Sequence, residues 1–232
     1  MMRKWLFLLL CVLSTKTMVA QDEETKEKVN KAKDRIVVEL ALENLINKPD
    51  TIKISGLSRG FNTYFMYDIP LGKSRLSLAP GIGIGTSNFY HKSNKIVSDS
   101  SKTYFVPIDK STFDVKKNKI GLTYVDIPIE LRYRSKPNSK NTSWKLAAGF
   151  KIGFLIHNKW KYKGLDLDGS GKEVKFKQYN VANLEKLRYG VTLRGGYGAF
   201  NLFVNYYISS LFKAENGPAM HPISFGIAIN GL

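Results

Sequence analysis

The feature that most constrains the fold is a two-residue alternation over residues 144–156. Every even position in this segment is apolar, and the residues between are mostly small or cationic. Neighbouring side chains of a β-strand point to opposite faces, so one face is apolar along the whole segment. The usual strand has about 5–6 residues. A strand that crosses a membrane has about 9–11 residues plus its rims, which matches this segment better.

Seven further segments complete a set of eight candidate strands. Five show the same alternation, whereas residues 61–69 and 200–208 have aromatic residues at both odd and even positions. The five are residues 36–42, 76–85, 125–134, 184–194 and 223–230. The links alternate between short (near 68–74, 135–143 and 195–199) and long (near 45–59, 92–118, 158–182 and 212–221). This predicts an all-β fold, an eight-stranded antiparallel up-and-down transmembrane β-barrel, with short turns and both termini in the periplasm.

Two prolines, Pro80 and Pro128, fall inside predicted strands, although a closed barrel has no free edge to tolerate a missing N–H donor. We expect a bulge or local fraying near the periplasmic rim to absorb them.

The N-terminus has the pattern of a secretory signal. Arg3 and Lys4 precede an apolar stretch, residues 5–13, that is too short to span a bilayer as a helix. Met18-Val19-Ala20 then predicts cleavage after Ala20; a lipoprotein signal at Cys11 is disfavoured by the bulky Leu10. The predicted organisation is a signal peptide at 1–20, a charged periplasmic leader at 21–35 and an outer-membrane barrel domain at 36–232. The mature chain then has no cysteine, so it cannot form disulfides.

The inward faces of the strands combine acids and bases. The predicted lumen charge network is Glu39, Asp126, Glu130, Arg132, Lys151, Lys186, Arg188 and Arg194. Side chains just fill an eight-stranded barrel, and buried charges must be paired. Inward Gly and Ala residues leave room for long side chains from across the barrel. A salt-bridged plug is therefore expected, and a sizeable channel is disfavoured.

The sequence predicts no catalytic, metal or cofactor site. His91, His157 and His221 fall at the loop ends of strands, and His91 and His157 share the inward parity, but no fixed spacing links them to a serine. The acidic segment 166–173 lacks the ligand spacing of an EF-hand and is typical of a Gly-rich turn.

The formal net charge is +17, of which Arg3, Lys4 and Lys16 lie in the predicted signal. An exported protein does not normally meet nucleic acid, so lipid phosphates or acidic polysaccharides are the expected anionic partners. The long loops mix lysine with aromatics, as in residues 90–104 and 159–163, which indicates contact with outer-membrane lipid and lipopolysaccharide. Ordinary solvated loops are the alternative.

Three stretches resemble one family: Tyr124-Val-Asp-Ile-Pro-Ile-Glu-Leu-Arg-Tyr-Arg134, Trp144-Lys-Leu-Ala-Ala-Gly-Phe-Lys-Ile-Gly153 and Arg194-Gly-Gly-Tyr-Gly198. They are similar to the PorT-like outer-membrane β-barrels of Bacteroidota, which are Gram-negative. The resemblance implies an outer-membrane location and an OmpX-like size. Through the founding member, it also implies type IX secretion and secretion-system proteins as partners.

The leading interpretation is a non-enzymatic, monomeric barrel with a structural or accessory role in the envelope or in secretion. The alternatives are a surface-loop binding module for anionic lipid or glycan, and a lipid-modifying enzyme that uses His91 or His157.

Overall fold

The computed structural model describes residues 35–231 except Gly56, Lys92, Asp99, Ser100, Lys110, Asn141 and Gly169. The predicted signal peptide at 1–20, and all of the predicted leader at 21–35 except Arg35, lie outside the described residues.

Twelve β-strands are present within the described residues, and eight of them close into an antiparallel barrel in the order β1-β2-β4-β7-β8-β10-β11-β12. The pairing of β12 with β1 completes the ring. The strands are β1 (Ile36–Ile46), β2 (Arg59–Met66), β3 (Ile69–Pro70), β4 (Leu76–Tyr90), β5 (Asn94–Ser98), β6 (Thr103–Pro107), β7 (Val115–Arg134), β8 (Trp144–Leu165), β9 (Glu173–Tyr179), β10 (Leu187–Tyr197), β11 (Phe200–Tyr207) and β12 (His221–Asn230). The predicted fold class is confirmed. Among the described residues, none forms a helix long and apolar enough to cross a membrane.

The connections alternate in length, as predicted. The links β2–β4, β7–β8 and β10–β11 lie at one end of the barrel, which we call the turn end. The links β1–β2, β4–β7, β8–β10 and β11–β12 are longer and lie at the opposite, loop end. Ile36 and Asn230 begin and end the barrel at the turn end, because Val37 pairs with Asn230.

The barrel wall has the reverse polarity of a soluble barrel. Large apolar side chains on every barrel strand point outward; for example, Leu40 is 57% exposed and Leu202 is 69% exposed. Their neighbours in sequence, such as Glu39 and Asn201, are buried inside. A soluble barrel of the lipocalin kind needs apolar residues inside, so this pattern excludes it. The apolar outer belt is the surface that a lipid environment requires.

The strands at the loop end extend beyond the predicted bounds. β7 begins at Val115 and β8 continues to Leu165, and β9 pairs with the extension of β8. Inside this extension and beneath the β5–β6 hairpin lies an apolar cluster, which we call the cap core. It comprises Leu45, Ile52, Phe89, Ile96, Val115, Ile120, Leu122, Tyr124, Trp160, Tyr162, Val181, Leu184, Leu211, Phe212 and Met220. The cap core fills the loop end of the barrel.

The two strand prolines lie at an interruption of the β4–β7 ladder. Pairing is continuous up to Pro80 opposite Ile129 and resumes at Gly83 opposite Asp126, so Pro128 lies in the unpaired gap. The ladder therefore loosens locally and keeps its register on both sides, which agrees with the expected fraying.

A β-bulge in β8 reverses the side-chain alternation. Tyr124 of β7 pairs with Leu155, but the next residue, Thr123, pairs with His157, which leaves Ile156 as an extra residue. Beyond the bulge the odd positions face outward, and Trp160 and Tyr162 enter the cap core. The prediction that His157 shares the inward parity is therefore wrong: its side chain is exposed.

His91 provides a pH test of the cap. Its ring is fully buried, Nδ1 lies 3.2 Å from the Asn94 carbonyl oxygen, and Phe105 packs edge-on against it. Burial lowers the pKa of His91 from 6.5 to about 4. An opened cap binds this proton near pH 6.5, whereas the closed cap binds it only near pH 4. Cap stability is therefore complete above pH 6.5 and falls by about 3 kcal/mol as the pH drops towards 4.

We expect hydrogen exchange of the β5 and β6 amides, corrected for intrinsic rates, to report this loss between pH 7 and 4. The variant His91→Gln cannot titrate and should show a clearly weaker pH dependence. An identical pH dependence in both proteins would rule out His91 as the cause.

Candidate functional site: the charged barrel interior

An ion pair between β7 and β10 lies in the middle of the lumen. Arg188 donates from Nε to Asp126 Oδ1 at 3.1 Å and from Nη2 to Asp126 Oδ2 at 2.6 Å. Both residues face inward by the alternation of their strands and are buried. Two parallel hydrogen bonds fix the planar guanidinium against the carboxylate, which is the strongest geometry for such a pair.

Aromatic rings and glycines surround this pair. The Arg188 guanidinium carbon lies 3.7 Å from the centre of the Tyr124 ring and 4.6 Å from that of Tyr207, so the cation is held between two rings. A Cβ atom at Gly85 or Gly153 would collide with both Asp126 and Arg188. Inward glycine therefore makes the space for a long side chain, as the sequence predicted.

A second group of contacts joins Lys151 to this pair through a tyrosine. Lys151 Nζ donates to the Tyr64 hydroxyl at 2.9 Å, and that hydroxyl donates to Asp126 Oδ2 at 3.2 Å. Lys151 Nζ also lies 3.5 Å from Glu39 Oε2, which accepts a hydrogen bond from Asn62 at 2.9 Å. Every one of these side chains is buried.

The network continues towards the turn end through two arginines. Arg194 pairs with Glu130, and its Nη1 lies 4.0 Å from Glu39 Oε1. Arg132 donates to Glu130 Oε2 and to Asp68 Oδ1, each at 2.9 Å. The contacts are therefore continuous from Asp68, near the turn end, to Arg188 at mid-barrel.

Above the network most of the inward side chains are apolar. On β1 the inward residue after Glu43 is Leu45, and on β4 the inward residue after Ser87 is Phe89. Leu45 and Phe89 belong to the cap core. The lumen thus contains mostly paired charges below and mostly apolar side chains above. This arrangement can fix the barrel's shape and block its lumen.

Seven of the eight predicted network residues lie together in the lumen: Glu39, Asp126, Glu130, Arg132, Lys151, Arg188 and Arg194. The prediction that Lys186, the eighth residue, lies in the lumen is wrong. Strand β10 begins only at Leu187, so Lys186 lies in a bend before it, and its side chain is exposed.

The sequence reasoning missed two residues that the network needs. Asp68 lies just past the end of β2, where no alternation identified its direction, yet it pairs with Arg132. Tyr64 lies in the aromatic-rich segment with no clear parity, yet it links Lys151 to Asp126. Charge balance was the available signal, because the predicted set had more bases than acids and therefore lacked a carboxylate.

The three histidines do not form a common site. His91 is buried in the cap, His157 faces outward with its ring 5.6 Å from that of Tyr179, and His221 begins β12. Across the described residues, no hydroxyl group is hydrogen-bonded to a histidine ring, and no group of three or more His, Cys, Asp or Glu side chains could hold a metal ion.

Removing one member of the central pair should destabilise the barrel strongly. Arg188→Met leaves Asp126 buried without its cation, which costs about 3–5 kcal/mol. Adding Asp126→Asn should recover part of the loss, since no uncompensated charge then remains. Urea unfolding of the protein in lipid vesicles measures both.

Lys186→Met is the matched control, because Lys186 is exposed two residues before Arg188. It should change the stability by no more than about 0.5 kcal/mol. A loss as large as that of Arg188→Met would contradict the positions assigned to these two residues.

The family comparison agrees with this architecture. The model of the family described as "Outer membrane protein beta-barrel domain" matches residues 21–213. No curated protein and no solved structure matches the chain. The match ends before β12, which the structure nevertheless pairs with β1 and β11 to close the barrel. With its apolar outer wall and its charged, filled interior, this chain belongs to the outer-membrane protein β-barrel domain family.

Proposed function

We propose that this protein is a non-enzymatic barrel with an accessory role in the outer membrane, supporting protein secretion. Its termini lie in the periplasm and its long loops lie on the outer surface of the cell. The observation that supports a non-transport role is the filled lumen, in which the Arg188–Asp126 pair and the cap core occupy the space a solute would need. The secretion role rests on the resemblance to PorT-like barrels of Bacteroidota.

The remaining features favour binding of partners at the protein surface over binding inside the lumen. The network charges are directed at each other, as in the Arg132–Asp68 and Arg194–Glu130 pairs. A cavity of about 360 Å³ lies among the loops and not in the lumen. Ile52, Phe105 and Pro218 form part of its wall. Partners are therefore expected at the loops, the turns or the outer wall, with the barrel as a monomeric scaffold.

Conductance measurements test the filled lumen. Purified, folded protein in a planar bilayer should give no stable current steps, because the network and the cap core occupy the lumen. Heat-denatured protein is the control for leakage caused by the preparation. Reproducible single-channel steps from the folded protein alone would contradict the proposal.

Gene deletion tests the secretion role. Deletion should cause cargo with C-terminal secretion domains to accumulate in the periplasm, and expression of the intact chain should restore its release. Entry of a large antibiotic that an intact outer membrane excludes is measured in parallel. Normal secretion with a leaky membrane would replace the secretion role by a structural one. If neither changes, the proposed function is wrong.

A further inference from the structure

Seven lysines lie on the outward surface of β7, β8 and β9 at the loop end. We call this surface the lysine face; it comprises Lys117, Lys119, Lys159, Lys161, Lys163, Lys175 and Lys177. Six of them form two rows across the three strands, because Lys117 pairs with Lys163 and Lys163 with Lys175, while Lys119 pairs with Lys161 and Lys161 with Lys177. Directly opposite side chains in such strands have Cβ atoms about 4.5–5.5 Å apart.

This arrangement is electrostatically unfavourable for the protein alone. Like charges directly opposite each other destabilise a sheet. Repulsion from neighbouring lysines, Lys117 foremost, lowers the pKa of Lys161. Glu173 lies 3.5 Å from Lys163, but among the described residues no carboxylate lies within 4.0 Å of Lys161, Lys175 or Lys177.

Packing on the opposite side of the same strands holds the lysines in place. Phe176 of β9 stacks on Tyr162 with ring centres 5.4 Å apart and meets Trp160 edge-on at 5.0 Å. The inward residues therefore fix the sheet, and the outward charges remain close together without contributing to its stability. Such a rigid row of cations is suited to binding an anion.

The position of the lysine face along the barrel axis, just beyond the apolar belt, indicates which anion it binds. On β8 the outward side chains change from Phe154 and Ile156, which are exposed and apolar, to Lys159 within three residues. At about 3.3 Å per residue, that is about 10 Å along a tilted strand. His157 and Tyr179 lie at the boundary, where aromatic rings typically mark the membrane interface. Lipid phosphates lie at this level.

We propose that the lysine face binds the phosphate groups of lipid A in the outer leaflet. Continuity with the apolar belt favours lipid over a soluble polyanion, because the acyl chains of the same molecule can lie against Phe154 and Ile156. Each ammonium group offers three N–H donors, and paired lysines can share one phosphate. The inference rests on the proposed function's placement of the loops on the outer surface of the cell.

The test is lipid A binding by the full barrel in neutral detergent at low salt. The triple variant Lys161→Gln, Lys175→Gln, Lys177→Gln should bind lipid A with both phosphates about 10- to 100-fold more weakly than the natural protein. The matched control replaces three lysines near the turn end: Lys73→Gln, Lys136→Gln and Lys140→Gln. It should bind as the natural protein does. Heat-modifiable gel migration confirms that each variant is folded.

Two further probes distinguish the source of the anion. Lipid A without phosphates should bind about as weakly as the triple variant, and soluble alginate should not displace lipid A with phosphates. Equal binding by the triple variant, no dependence on lipid phosphate, or displacement by alginate would each overturn the proposal.

Labelling of Lys177→Cys on intact cells with a reagent that does not cross the membrane separates this inference from the proposed orientation. Labelling is expected. Its absence would overturn the orientation, and with it the assignment to outer-leaflet lipid. Labelling without lipid A binding would overturn the lysine face alone and leave the proposed function in place.

Discussion

The neutralisation of buried charge inside the barrel is the constraint on which the other features depend. Arg188 and Asp126 cannot be buried separately, because an isolated charge inside a protein costs several kcal/mol. Their pairing requires β7 and β10, which both pair with β8, to hold Asp126 and Arg188 at the same height on either side of Gly153. That requirement specifies the register of β7, β8 and β10, because a shift of one residue would turn the inward charges of the shifted strand towards lipid.

The same constraint explains why glycine is frequent on the inward face. Gly85 and Gly153 leave space that Arg188 and Asp126 occupy, so small residues on one strand compensate for long ones on another. An interior assembled in this way has little freedom to open. This rigidity is the physical reason for proposing that the barrel acts through its ends and its outer wall.

The alternation in residues 144–156 and the other candidate strands, together with the alternating link lengths, was enough to predict the barrel and most of the charged interior, because burial on one face forces a strict period of two. It could not predict the bulge at Ile156, since the extra residue reverses the alternation with no local signal of its own. The side-chain directions of His157 and Trp160 were therefore not predictable. Asp68 was missed for a related reason: it follows the end of β2, where the period of two no longer applies.

The bulge in β8 affects both the cap core and the lysine face. Without it, Trp160 and Tyr162 would point outward, and Lys159, Lys161 and Lys163 would point into the cap core. One inserted residue thus places aromatics inside and lysines outside on the same strand. The aromatic residues that β8 gives to the cap core and the lysines that it gives to the lysine face therefore both depend on one local irregularity. A change that removed the bulge would therefore disrupt both features together.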